Sequence, residues 1–398
     1  MTHYLLIFIC PFLMTNFVKS SRALENTIFI IFVIYLIIIV GFRFDMGLDW
    51  SNYLKEFYDR NILFTYHENN LQTFFNNLAA GKPFANRNIE PLYLLFLKLS
   101  NTLFGNIIFF NFVNALLSVG CISFFCFKQE KKWFGLAISM SFIIFYGMDI
   151  IRQFTGLGFI CLMIYNMSRK NFYYSLIYWL IAIFFHISSI IFIFLYFYII
   201  FNKIKGKLKL IFSVSLFFII LTFLFFNLGK FLENISTNVY VGSENIYLSK
   251  GLIFRLILNL FPFVIFIYFN KLFTNSKYYT ILNWYSFIYI ILAILFIAEV
   301  NLTIVDRFVV FLVPYQILIY MHFIKFFNFE KTKNYFILCI SSFYLLFAAS
   351  WMFLSEDNFR VYVPYKSVIW KDYNSSIGVL CYPLKCALEG GDKDIKYE

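Results

Sequence analysis

An all-α, polytopic integral membrane protein is the fold class this sequence predicts, and three observations predict it. The chain has 398 residues, of which 61% are hydrophobic and only 14% charged, with a mean hydropathy of +0.76. Its apolar residues come in repeated runs of about 15 to 21, close to the length a helix needs to cross a bilayer. Charged residues gather in short clusters between those runs. Length alone would suggest two or three soluble domains, but the spacing of the runs overrides that prior. Inside a bilayer every backbone polar group must be satisfied within its own segment, so the spans are helices.

The runs predict about 12 transmembrane helices, at residues 4–18, 27–42, 107–127, 133–147, 153–167, 172–185, 187–201, 208–227, 252–270, 281–298, 308–325 and 335–354. The first lacks a basic leader and a small-x-small cleavage site, so it reads as a retained helix rather than a signal peptide. Glu90 to Phe104 is apolar but short, opens with Glu-Pro and carries Lys98; it reads as a re-entrant or interfacial helix. Phe172 to Phe201 has basic clusters at both ends, which favours two short helices with a tip near His186. Basic residues cluster between alternate spans, at Lys19/Arg22, Lys128–Lys132, Arg169/Lys170, Lys203–Lys209, Lys271/Lys277 and Lys325–Lys333. The positive-inside rule puts these in the cytoplasm, and on that assignment the whole excess positive charge sits on one face. The +12 net charge is therefore a topology signal, not the patch a nucleic-acid partner would need. Residues 1–354 form one transmembrane domain with outer loops at 43–89 and 228–250, followed by a polar extracytoplasmic tail, 355–398.

The seven cysteines show no metal-ligand spacing. Five lie in spans, where Cys acts as a small apolar residue; Cys381 and Cys386 in the tail would pair only in an oxidising compartment. The 58 Phe and 29 Tyr are scattered over the spans without a stripe that would mark a cofactor box, and no cofactor or metal is expected. No P-loop, Gly-x-Ser-x-Gly, His-Glu-x-x-His or dinucleotide fingerprint is present. Ser188 beside His186 is a common pairing, with no third member of a triad evident in the sequence.

What remains is a set of charges at span ends, where charge is expensive. With this topology Arg43, Asp45, Asp49, Glu90, Asp149, Arg152, Gln153, His186, Glu299, Asp306 and Arg307 all fall on the outer side. Arg presents a planar fork that matches phosphate oxygens and stays ionised near lipid, so Arg43, Arg152 and Arg307, with Gln153, are diphosphate-binding candidates. Asp49, Glu90 and His186 are the groups able to act as a general base. Each has a structural alternative: Arg43 as a snorkelling helix anchor, Asp49 as a helix cap on backbone N–H groups, His186 as a buried hydrogen-bonded histidine, and Asp306–Arg307 as a local ion pair.

The spacing Arg43-x3-Gly47-x-Asp49-x3-Tyr53 after an early span resembles the EpsG family of bacterial polysaccharide polymerases, which are similar in role to the Wzy O-antigen polymerases. So do Glu90-Pro-Leu-Tyr93, Ile151-Arg152-Gln153 at the head of a span, Arg169-Lys170, Phe185-His186-x-Ser188, and Arg307 with Tyr315. These blocks run in matching order over about residues 27–325; Thr155-Gly156 departs from the small, mostly Ala-like residues the pattern would have. The resemblance implies polymerisation of polyprenyl-diphosphate-linked oligosaccharide repeat units into a surface polysaccharide, at the extracytoplasmic face of the bacterial cytoplasmic membrane. It implies Arg43, Asp49, Glu90, Arg152, Gln153, His186 and Arg307 as site residues. It also implies a flippase and a chain-length regulator of the same pathway as partners. Two other classes compete: a flippase for lipid-linked oligosaccharide, which would need charges at mid-membrane, and a membrane O-acetyltransferase, which would need Arg152 and His186 to face a cytoplasmic donor.

Overall fold

The computed structural model describes residues 2–16, 21–58, 90–203, 251–297, 302–353, 356–363 and 365–369. The described residues are helical throughout: α1 Thr2–Asn16, α2 Arg22–Gly41, α3 Trp50–Tyr58, α4 Pro91–Phe104, α5 Ile107–Phe127, α6 Lys132–Asp149, α7 Ile151–Ser168, α8 Phe172–Phe185, α9 Ile193–Lys203, α10 Leu252–Tyr268, α11 Tyr279–Ile297, α12 Leu302–Val310, α13 Val313–Phe323, α14 Glu330–Phe353 and α15 Glu356–Tyr362. A 3₁₀ segment, Ile187–Phe192, joins α8 to α9, and a single turn, Asn270–Phe273, follows α10. The span expected at 208–227, the loop at 228–250, Glu299 and the Cys381/Cys386 pair lie outside the described residues.

Five helical segments among the described residues are long and apolar enough to cross a membrane: 22–41, 107–127, 279–297, 305–326 (α12 and α13 taken together across their turn) and 330–353; four more apolar helices are shorter. The expected count of about 12 is therefore not reached on these criteria, and α6 and α7 show why. Both are at the centre of the bundle rather than against lipid. Every side chain from Lys132 to Met148 is buried, and α7 is buried over nearly all of its length. Interior helices of a membrane bundle carry small and polar residues so that backbones can approach and bond. Here Ser139, Ser141, Thr155, Gly156 and Gly158 lower the hydropathy of α6 and α7. Gly158 lies so close to Ser118 that a Cβ there would sit 3.1 Å from the Ser118 backbone. The span expected at 308–325 is interrupted at Phe311–Leu312, two residues before Pro314, whose ring and missing N–H break a continuous helix.

Helix α7 packs on α5 and α8, α5 on α2, and α6 on α1 and α14. The short α4, with Pro at its first position as helix starts prefer, packs on α5, α8 and α3. The helix expected over residues 90–104 thus forms, and Glu90 is its N-cap.

The chain after 355, read from sequence as a solvated polar tail, behaves differently in its first part. Arg43 and Ser367 form an isolated antiparallel bridge. The Phe44 N–H donates to the Lys366 carbonyl at 3.2 Å, and the Val368 N–H donates to the Phe42 carbonyl at 3.1 Å. Tyr362 is fully buried, accepting at its carbonyl from the Tyr4 hydroxyl at 2.8 Å. Residues 356–363 and 365–369 form a strap across the loop after α2.

That loop in turn grips the α6–α7 corner. Gly47 has φ +100°, and a Cβ there would sit 2.4 Å from the Met148 carbonyl oxygen. The Leu48 N–H donates to Asp149 Oδ1 at 2.6 Å, and the Tyr53 hydroxyl accepts from the Ile151 N–H, the first donor of α7, at 3.1 Å. Gly47→Ala faces both a left-handed backbone and a clash with main chain. It is expected to destabilise the protein by about 2–3 kcal/mol, read as a lowered unfolding midpoint in detergent.

Candidate functional site

Three elements meet at one end of the bundle to build a chain of polar groups. The N-cap of α4 supplies Glu90, the first turn of α7 supplies Arg152, and the break between α8 and the 3₁₀ segment supplies His186. Glu90 is 4% exposed and His186 8%. His186 Nδ1 lies 2.8 Å from Glu90 Oε1, and Arg152 Nη1 lies 3.3 Å from Glu90 Oε2, so each carboxylate oxygen has its own partner. The Ile187 N–H adds a longer bond to Glu90 Oε1 at 3.4 Å.

The chain continues at both ends. Arg152 Nη2 is 3.7 Å from Glu56 Oε1, its guanidinium lies 5.0 Å over the Tyr93 ring, and the Tyr93 hydroxyl donates to Glu56 Oε2 at 2.7 Å. At the other end Ser188 Oγ sits 3.2 Å from His186 Nε2. The third member that the sequence did not reveal beside Ser188 and His186 is therefore Glu90, 96 residues away. No motif spacing could have shown it.

Electrostatics fix the roles within this chain. Burial alone would push the Glu90 carboxyl up, but Arg152 and the His186 hydrogen bond outweigh it and hold Glu90 down at about 2. Burial pushes His186 below its ordinary value, against the opposing pull of Glu90. At neutral pH the arrangement is then an ionised Glu90 and a neutral imidazole. An ionised carboxylate can only accept, so Nδ1 carries the proton toward Glu90 and Nε2 keeps its lone pair on the Ser188 side.

The other expected residues divide. Gln153 is buried and its side-chain amide donates to the Arg307 carbonyl, which ties α7 to α12. Arg307 itself is half-buried. Asp49 is half-buried at the foot of α3, and its Oδ1 accepts from the Asn52 side-chain amide at 3.2 Å. Burial raises the Asp49 carboxyl, while Asn52, Arg152 and Arg307 act in the opposite direction; Asp49, Arg152 and Arg307 therefore share one electrostatic neighbourhood.

Arg43 lies behind that neighbourhood, coupled to it through Tyr53 and Asp149. It is 1% exposed, and its guanidinium donates to the Val40 carbonyl at 2.6 Å and the Met148 carbonyl at 3.2 Å. The motif Arg43–Tyr53 thus holds the corner from which Arg152 projects. Asp306 pairs with Arg255 of α10, a residue that the apolar run around it did not single out. Glu56 and Tyr93 were also missed as site groups.

The close approach of the His186 turn needs a small residue opposite it. A Cβ on Gly156 would sit 3.1 Å from Ser189 Oγ and 3.5 Å from the His186 Cβ, which accounts for glycine at a position where Ala-like residues were expected. Among the described residues no three His, Cys, Asp or Glu side chains converge as a metal-ligand set.

Comparison with curated proteins and with solved structures found no match. The family model matches residues 26–367, which include every residue of the cluster just described, and the chain belongs to the EpsG family, membrane proteins like the Wzy-type exopolysaccharide polymerases.

Proposed function

We propose that this protein polymerises polyprenyl-diphosphate-linked oligosaccharide repeat units into a surface polysaccharide, at the extracytoplasmic face of the bacterial cytoplasmic membrane, without a metal. The single observation that carries the reading is the buried chain Ser188–His186–Glu90–Arg152, within a family of membrane polysaccharide polymerases. In this reading the growing glycan leaves its diphosphate carrier and is taken by a hydroxyl of the incoming repeat unit. His186 Nε2 is the general base for that hydroxyl, reached directly or through Ser188, and Glu90 orients the ring and stabilises the imidazolium that forms. Arg152 keeps part of its side chain exposed, 30%. With Arg307 it offers positive charge to the diphosphate as negative charge develops on the leaving oxygen. Asp49 lies close enough to both arginines to help orient the acceptor.

A base that must be neutral loses activity as pH falls through its pKa, and His186 sits below the ordinary histidine value near 6.5. The initial rate of polymer formation by the reconstituted protein is therefore expected to be flat across neutral pH and to fall only below the ordinary histidine value near 6.5. A rate that falls as pH drops from 8 to 7 would assign the base elsewhere.

One observation favours a second reading. Ser188, His186 and Glu90 are ordered as nucleophile, base and orienting acid, the arrangement acyl transfer uses. Ser188→Ala separates the two. Polymerisation is expected to survive it within about tenfold, because Nε2 remains available, whereas transfer of an acyl group through Ser188 would be abolished.

A further inference from the structure

Glu56 has no part in the chemistry above, yet it touches the arginine assigned to the diphosphate. Arg152 presents its fork to two carboxylates: Nη1 lies 3.3 Å from Glu90 Oε2 and Nη2 lies 3.7 Å from Glu56 Oε1. The Tyr93 ring covers the guanidinium at 5.0 Å. Phosphate oxygens engage the same N–H groups of the fork that carboxylates do. A diphosphate therefore reaches Arg152 only where a carboxylate gives way.

The two carboxylates are not held equally. Glu90 is buried and also bonds His186 Nδ1 and the Ile187 N–H. The Glu56 contact is too long for a hydrogen bond, and its side chain is 20% exposed; a long ion pair between partly exposed partners contributes little. Glu56 also stands in the last turn of α3, where the helix dipole opposes a negative charge. Its other oxygen, Oε2, accepts from the Tyr93 hydroxyl at 2.7 Å, and Tyr93 is fully buried edge-on against Phe110. The backbone beside it is fixed as well: Phe57 is buried, and its carbonyl accepts from the Asn101 side-chain amide of α4 at 2.9 Å. One oxygen of Glu56 is thus anchored while the other can swing to and from Arg152.

The charge of the ligand changes during the reaction. In the donor both phosphates are esterified, and each carries one negative charge. When the glycosyl–oxygen bond breaks, its electron pair stays on the diphosphate, and the terminal phosphate of the released carrier is a monoester, largely doubly ionised at neutral pH. A bare arginine would hold this product more tightly than the donor. We infer that Glu56 is the counter-ion that Arg152 exchanges for the diphosphate and takes back as the carrier leaves, so that it sets the site's preference for the diester donor over the monoester product. The inference rests on the polymerase reading for the identity of the ligand. Glu56 acts through Arg152 and is a positioning residue.

The test is equilibrium binding to the full chain in lipid nanodiscs, with geranylgeranyl diphosphate as the monoester probe and its terminal methyl ester as the diester probe. Glu56→Gln removes the charge and keeps an acceptor for the Tyr93 hydroxyl. It is expected to lower the Kd of the monoester by about tenfold and that of the methyl ester by about threefold or less. Glu56→Ala should shift both values in the same direction if Glu56→Gln fails to fold. In polymerisation by the reconstituted protein, added geranylgeranyl diphosphate should inhibit Glu56→Gln at a concentration about tenfold lower than it needs against the wild type. A carboxylate that only braced the site would, once removed, weaken binding of both probes. That weakening, equal shifts for the two probes, or unchanged Kd values would overturn the inference, and normal polymer from the wild type would then leave the polymerase reading intact. A wild type that binds neither probe and makes no polymer overturns the polymerase reading itself.

Discussion

Replacing Glu90 by Gln is expected to lower polymer formation by about a hundred- to ten-thousand-fold while leaving the protein in the membrane. The substitution keeps size and shape at a position only 4% exposed but removes the charge on which two neighbours depend. His186 loses the acceptor that holds its proton on Nδ1, so the tautomer with a free Nε2 is no longer favoured. Arg152 keeps Glu56 at 3.7 Å, which limits the structural damage. The measurement is polymer length in the strain together with initial rate in reconstituted membranes. A stability change without a rate change would demote Glu90 to a helix cap. Glu90→Asp should not rescue the rate, because a side chain one methylene shorter cannot maintain both the 2.8 Å bond to His186 and the 3.3 Å bond to Arg152.

The second large effect separates two arginines that look alike in sequence. Arg152→Ala is expected to abolish long polymer. Part of that loss is chemical and part structural, since Glu90 is left buried beside His186 without its cation. Because Arg152 is 30% exposed, the structural part should stay well under the 3–5 kcal/mol of a fully buried pair. Arg43→Ala should show the reverse balance. It leaves the Val40 and Met148 carbonyls without their donor in a site closed to water, at a cost of about 2–5 kcal/mol. Folded yield and thermal midpoint should drop first, and activity should follow the amount of folded protein. Measuring rate per folded molecule for both variants checks the assignment. An Arg43→Ala protein that folds normally but cannot polymerise would return Arg43 to the site.

Much of this was legible in the sequence, and the rest was hidden for physical reasons. Helical spans and their order follow from apolar runs, because a bilayer forces each run to satisfy its own backbone. The gathering of Glu90, Arg152 and His186 followed from asking which charges sit at span ends. The division of labour among them did not. Arg43 and Arg152 each stand at a span boundary, and only packing shows one facing backbone carbonyls and the other facing two carboxylates. Glu56, within the outer loop expected at 43–89, joins the cluster because the Arg43–Tyr53 loop folds α3 over the corner of α6 and α7. Arg255 was invisible because an arginine three residues into an apolar run reads as a snorkelling anchor; its partner Asp306 lies 51 positions on. The interior helices α6 and α7 carry the opposite lesson. Their small and polar residues lower hydropathy, so composition ranks these two largely buried helices below more exposed ones.

The strap formed by residues 356–363 and 365–369 was hidden for the same kind of reason. A polar tail after the last long helix gives no periodic signal, yet its bridge to Arg43 and the burial of Tyr362 make it part of the support for Arg152. The matched family region also runs to residue 367.

The central claim is that the Glu90–Arg152–His186 cluster joins lipid-linked repeat units. It is tested most directly by extracting the lipid-linked glycans of a strain whose only copy of this protein is Glu90→Gln. The expected result is accumulation of single repeat units on the carrier at the extracytoplasmic face, with polymer absent. Normal polymer length in that strain, or accumulation confined to the cytoplasmic face as a blocked flippase would give, would contradict it.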